Sequence, residues 1–160
     1  MSIRNKNILD KIGALIPGYL GYSNRADKRK SEKKIRDQNA LLLEKSEKNI
    51  IEFQKILISN NDLTVLKEWE VLRKHLNTLT SLVKYANYGE SSFFSENQIK
   101  EEELDKILQF DEEIVDRIQI IFKATENELS DELTKILIAN CLKEIDRSLS
   151  YRSNFIKDHK

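Results

Sequence analysis

The chain has 160 residues, 39% apolar and 34% charged, with one cysteine and no net charge. That length suits one domain whose core needs neither disulfide nor metal, and Cys141 alone excludes an intrachain disulfide. No run of about 20 apolar residues is present to form a membrane-spanning helix, and recurrent Ile and Leu argue against wholesale disorder.

The charged fraction exceeds the roughly 25% of ordinary soluble domains, as expected where each long helix needs only one apolar stripe. The charge is also unevenly placed. Residues 1–36 hold ten Lys/Arg against three Asp/Glu, and the remainder holds 17 against 24. A basic opening facing an acidic remainder is satisfied within the fold, between subunits or by an anionic partner. Asp10 and Lys11 interrupt the first apolar segment, so no signal peptide is expected. The lone cysteine suits a reducing compartment, and a cytoplasmic location is expected.

Ile8, Leu9, Ile12, Leu15 and Ile16 recur at helical spacing and predict a short helix over residues 8–16. Two or three turns are marginal alone in water, so this arm must dock. Docking on the body is favoured over a membrane surface because the apolar face is small, although Arg4, Lys6 and Lys11 suit an anionic bilayer. Pro17 ends the helix by disfavouring helical geometry at Ile16. Gly18 and Gly21 permit positive φ beside Tyr19 and Tyr22. Asn24 is a cap for the next helix, with Asp27 in its first turn.

That second helix is predicted over residues 25–59, about 50 Å long. Between residues 25 and 34 only Ala26 is apolar. The stripe starts at Ile35 and runs through Leu42, Ile50, Phe53 and Leu57, so the first turns are expected to overhang the body or face solvent. Asn60-Asn61-Asp62 marks a turn and cap. The third helix carries Leu66, Trp69, Leu72, Leu76, Leu79, Val83 and Ala86, close to a heptad seam of coiled-coil type, with Gly89 as its C-terminal cap.

Ser95 and Gln98 form a capping box, with Phe94 stapled to Ile99. The fourth helix turns Leu104, Ile107, Leu108, Ile114, Val115, Ile118, Ile121 and Phe122 inward. Thr125 and Ser130 compete to cap the last helix, whose apolar positions run from Leu133 through Cys141 to Ile156. Four long helices joined by short turns predict an all-α, antiparallel up-down-up-down four-helix bundle. Residues 1–23 form its arm and Pro/Gly loop, and residues 24–160 the bundle.

Catalytic chemistry finds little support. A di-iron bundle needs two Glu-x-x-His pairs, but Leu72 and Ile156 stand three residues before His75 and His159. Acidic residues crowd positions 101–116, where Glu112 and Asp116 lie one turn apart and are weak candidates to share a hard cation. A solvated acidic face, or an internal partner for the basic helix start, is the favoured alternative. Asp111 is set apart by its place beside Leu104, Leu108 and Val115. No nucleophile elbow, phosphate loop, dinucleotide fingerprint or zinc spacing occurs, and Cys141 on an apolar stripe reads as a core residue. No cofactor and no enzymatic activity are expected.

The basic segment centres on Lys28, Arg29, Lys30, Lys33 and Lys34, preceded by Arg25. Such clusters bind phosphates or acidic surfaces, but a neutral chain of pI about 6.8 disfavours nucleic acid. Residues 15–37, LIPGYLGYSNRADKRKSEKKIRD, resemble the opening of a family of small uncharacterised prokaryotic helical proteins. The likeness rests on Pro17, Gly18, Tyr19, Gly21, Tyr22, Arg29 and Lys33. It implies a Pro-Gly-Tyr loop followed by a basic helix and brings no activity with it.

The expected function is a non-catalytic interaction or scaffold module. It would bind a protein partner through Tyr19, Tyr22, Arg25, Lys28, Arg29, Lys30, Lys33 and Lys34. The alternatives are a peripheral module on an anionic membrane surface, which would use the arm and the same basic patch, and a carboxylate-based metal-binding bundle. Homo-oligomerisation is compatible with all three.

Overall fold

The three- and four-residue spacing of apolar positions folds into helices throughout. The computed structural model describes the backbone of residues 3–19, 25–85 and 100–158, and the side chains of 7–19, 30–85, 100 and 102–158. Its described helices are α1 (Ile3–Leu15), α2 (Arg25–Ser59), α3 (Leu63–Lys84), α4 (Glu101–Thr125) and α5 (Glu132–Asp158), and no described residue is in a strand.

Local chemistry sets the helix ends. α1 begins at Ile3 rather than Ile8 and closes with Ile16 N–H donating to the Ile12 carbonyl at 2.8 Å. Pro17 and Gly18 then occupy the centre of a turn, with Gly18 at φ +80° and Tyr19 N–H donating to the Ile16 carbonyl at 3.3 Å. That is the type II pattern, whose third position needs glycine.

α2 ends in a Schellman motif. Asn61 adopts the left-handed conformation at φ 56°. Its N–H donates to the Ile58 carbonyl at 3.0 Å, and Asp62 N–H donates to the Leu57 carbonyl at 2.9 Å. The Asp62 side chain makes no capping bond to α3.

At the start of α4, Glu103 Oε2 accepts the Lys100 backbone N–H at 3.1 Å. A lysine side chain has no acceptor to complete a capping box. The expected caps at Asn24, Gly89 and Ser95–Gln98, the Phe94–Ile99 staple and the seam residue Ala86 lie outside the described residues. α5 is capped by Asp131, whose Oδ1 accepts Leu133 N–H at 2.9 Å, rather than by Thr125 or Ser130. Thr125 instead donates to the Phe122 carbonyl at 2.8 Å as α4 ends.

The helices pack as a bundle: α2 against α3 and α4, α5 against α4 and α3, and α1 against α4. Among the described residues α3 and α4, consecutive in the chain, do not pack together. Side-chain pairs give the senses. On α2 and α3, Glu44 meets Lys84, Glu47 meets Arg73 and Gln54 meets Glu70, so the partners run in opposite directions. On α3 and α5, Glu68 meets Lys135 and His75 meets Asp146, so these partners advance together.

Two apolar clusters form. The main one fills the space among α2, α3, α4 and α5, with Trp69 at 1% exposure and Phe53 edge-on to it, ring centroids 5.5 Å apart. The second joins Ile8, Ile12, Ile16 and Tyr19 to Ile35, Ile107, Leu108, Val115 and Ile156.

The start of α2 departs from expectation. Ser31 and Glu32 are buried beside Ile35, while Lys30, Lys33 and Lys34 stay exposed. A polar face, which hydrophobic periodicity does not register, therefore seats these turns on the body. Farther along, Arg73 grips Glu70 through Nε and Nη2 at 2.8 and 2.6 Å and reaches Glu47 at 3.0 Å, while Gln54 donates to Glu70 at 2.8 Å. This network links α2 to α3. The Arg73 guanidinium, with Gln54 assisting, holds the Glu70 carboxyl down at about 2.

Trp69→Ala is expected to cost about 3–5 kcal/mol in chemical denaturation, since the indole is fully buried. Glu70 gives a pH signature. Its folded pKa lies below the unfolded value, so its contribution is complete above about pH 4.5 and fades as pH falls towards 2. At neutral pH Glu70→Gln should cost under about 1 kcal/mol, because the pair is part-exposed and screened. The gap between wild type and variant should close in acid melts across that window. A gap that stays constant with pH would refute the assignment.

Candidate functional site

α1 cannot persist alone at thirteen residues with Gly13 in its last turns. Its aliphatic face, Ile8, Ile12 and Ile16, is 5%, 1% and 1% exposed in the second cluster. The arm is therefore seated on the body, as its small apolar face implies. Lys11, on the neighbouring face, donates to Asp116 at 2.7 Å and Glu112 at 3.1 Å. These hydrogen bonds, that to Asp116 foremost, push the Lys11 ammonium above its ordinary pKa.

Glu112 and Asp116 do converge, one turn apart on α4, and what they hold is a lysine from the arm. Among the described residues no group of three His, Cys, Asp or Glu side chains comes together as a metal site would require.

Two further carboxylates of the acidic stretch have partners on α5. Glu113 accepts from Ser148 at 3.0 Å, and Asp111 accepts from Arg152 Nε at 2.8 Å. Asp111 and Arg152 are 3% and 10% exposed at their side chains, an almost dry ion pair between α4 and α5. Along both helices the pair falls between residues of the main cluster and residues of the second.

The acidic helix is thus met from α1 and α5. Lys30, Lys33 and Lys34 pair with no carboxylate among the described residues. They lie on the exposed side of α2, and the Lys34 stem passes over the loop. A Cβ added at Gly18 would meet Lys34 Cε at 3.1 Å. Loop and basic helix start are therefore neighbours.

Tyr19 is 9% exposed and belongs to the second cluster, so its ring fastens the loop to the body. Tyr22 lies outside the described residues. Arg25, Lys28 and Arg29 lie within α2, and their side chains are outside the description.

Two other titratable groups complete the picture. Burial, with Glu144 nearby, pushes the Cys141 thiol up, so it stays protonated and unreactive. His75 is part-exposed and meets Asp146 of α5 at 2.5 Å. Sequence reasoning missed Ser31, Glu32 and Arg152, since polar residues facing inward leave no hydrophobic pattern.

Asp111→Ala should cost about 3–5 kcal/mol, the usual consequence of stranding a buried charge, measured by urea denaturation. Lys11→Ala, at a half-exposed pair, should cost under about 1 kcal/mol. Equal losses for the two would show that burial does not distinguish these ion pairs. No protein-family model, curated protein or solved structure matches the chain.

Proposed function

We propose that this protein is a non-catalytic interaction module that binds an acidic protein partner through the lysine face of α2 beside the Pro17-Gly18 turn. The observation that carries this reading is that Lys30, Lys33 and Lys34 stand exposed without a carboxylate among the described residues, while Glu112 and Asp116 of α4 are engaged by Lys11 and Asp111 by Arg152. Among the described residues, then, α4 offers these lysines no carboxylate. Arg25, Lys28 and Arg29 extend the same basic run in sequence. Tyr19 contributes by holding the loop in place, and Tyr22 is the aromatic candidate for partner contact.

The body that presents this face is an up-down-up-down bundle of α2 to α5 with α1 as its arm. The packing of α2 with α4 and of α3 with α5 supports that reading. No described helix is long and apolar enough to cross a membrane. The buried aliphatic face of α1 leaves a membrane-surface reading to rest on the lysines alone. A cytoplasmic location belongs to the same proposal.

The test is Lys30→Glu, Lys33→Glu and Lys34→Glu combined in the full chain. Thermal stability should hold within about 0.5 kcal/mol per site, as for ordinary surface changes. A partner captured by wild type should be lost on reversal and released by salt, and vesicles of anionic lipid should not sediment the protein. Unfolding of the triple variant, or retention of every captured partner, would sink the reading. Sedimentation with anionic vesicles that the reversal abolishes would replace it with the membrane one.

A further inference from the structure

We infer that the groove between the last turns of α2 and the α4–α5 turn docks a basic peptide segment, an apolar side chain flanked by lysine or arginine. The groove lies about 30 Å along α2 from Lys34, and the inference does not rest on the lysine face. It is an open cleft of about 720 Å³, within the size range of ligand pockets.

Its floor is apolar and supported from behind. Phe53, Leu57 and Leu129 line it. Leu57 and Leu129 belong to the main cluster, and Phe53 stands edge-on to the buried Trp69. Ile56 lines the same cleft and is 56% exposed. Asn49 Nδ2 donates to Thr125 Oγ1 at 3.2 Å and ties the α2 side to the turn side. Within the turn, Asn127 Nδ2 donates to the Lys123 carbonyl at 2.9 Å. The groove is thus held in shape by the fold, which lowers the ordering cost of filling it.

Charge complementarity selects the occupant. Glu52, Asp62, Glu126 and Glu128 line the groove, and no lysine, arginine or histidine does. Glu52 bonds the exposed Lys55 at 2.8 Å. Among the described residues no cation pairs with Asp62, Glu126 or Glu128. Such a rim repels an acidic partner and draws a basic one. A lysine or arginine stem lies along apolar surface while its head reaches a carboxylate. The α2 side runs from Asn49 to Asn60, about 16 Å of helix, which matches about five residues of extended peptide.

The probes are fluorescein-labelled pentapeptides with leucine or phenylalanine at the centre and lysine at the other positions. Each is titrated with the full chain and followed by anisotropy. At least one should bind, and rising salt should weaken it. Glu126→Lys combined with Glu128→Lys should weaken it about tenfold or more, as should Ile56→Asp. Serine at the peptide's centre should do the same. Lys30→Glu, more than a Debye length away, should leave binding within about twofold. The substituted side chains are exposed, so circular dichroism should match wild type. If Ile56→Asp loses helix, Ile56→Ser replaces it.

Failure of both peptides to bind overturns the inference. So does binding that survives the charge reversal or the change at Ile56, or that is equal for the serine peptide. A wild-type dimer in sedimentation velocity that Ile56→Asp dissolves would give the groove to a second copy and overturn it too.

Discussion

A carboxylate and a guanidinium buried between two apolar clusters constrain how α4 and α5 lie together. Desolvating Asp111 and Arg152 costs as much as their attraction returns, so an apolar pair of equal volume would serve stability as well. The difference lies in register. Any slip of α4 along α5 that parts the two charges breaks a nearly dry ion pair, and breaking such a pair is heavily penalised. Ile107, Leu108 and Val115 on α4 and Ile156 on α5 share one surface under that constraint, and this is the surface on which α1 sits.

The electrostatics follow from the same arrangement. The basic first quarter of the chain is not one partner for the acidic remainder. Lys11 is drawn to Glu112 and Asp116 and stays with α4, whereas Lys30, Lys33 and Lys34 project from a stretch of α2 whose inward side includes Ser31, Glu32 and Ile35. One basic segment is consumed by folding and the next is left to the surface. The turn at Pro17-Gly18 divides them.

Most elements were legible because amphipathic helices announce their own buried faces. The bounds of α2 follow from its flanking cap and turn residues, and the burial of Trp69 and the docking of the arm from apolar spacing within one segment. Asp111 was legible as an anomaly, a carboxylate among Leu104, Leu108 and Val115. Its partner was not, since Arg152 lies 41 positions away and nothing local marks it. The inward polar face of α2 was invisible for a related reason, as Ser31 and Glu32 resemble surface residues until another helix covers them. Which helices adjoin was also hidden: short turns join α2 to α3 and α4 to α5, but they do not say that α2 lies beside α4. Of the candidate site, composition located the lysines, while the fates of Tyr19 and of Glu112 with Asp116 depended on long-range contacts.

The seat of α1 also imposes an order on folding during synthesis. Lys11 and its acceptors are separated by 101 and 105 positions, whereas α2 meets α3, and α4 meets α5, across short turns. Contacts close in sequence form early, and distant ones wait on loop closure. The arm therefore leaves the ribosome well before α4 and finds its place after the neighbouring helices have paired. Until α4 emerges, Ile8, Ile12 and Ile16 have no surface of their own chain to cover them. The nascent protein thus carries, ahead of α2, an aliphatic segment left uncovered until α4 is made, the kind of exposed surface that makes folding intermediates prone to aggregate.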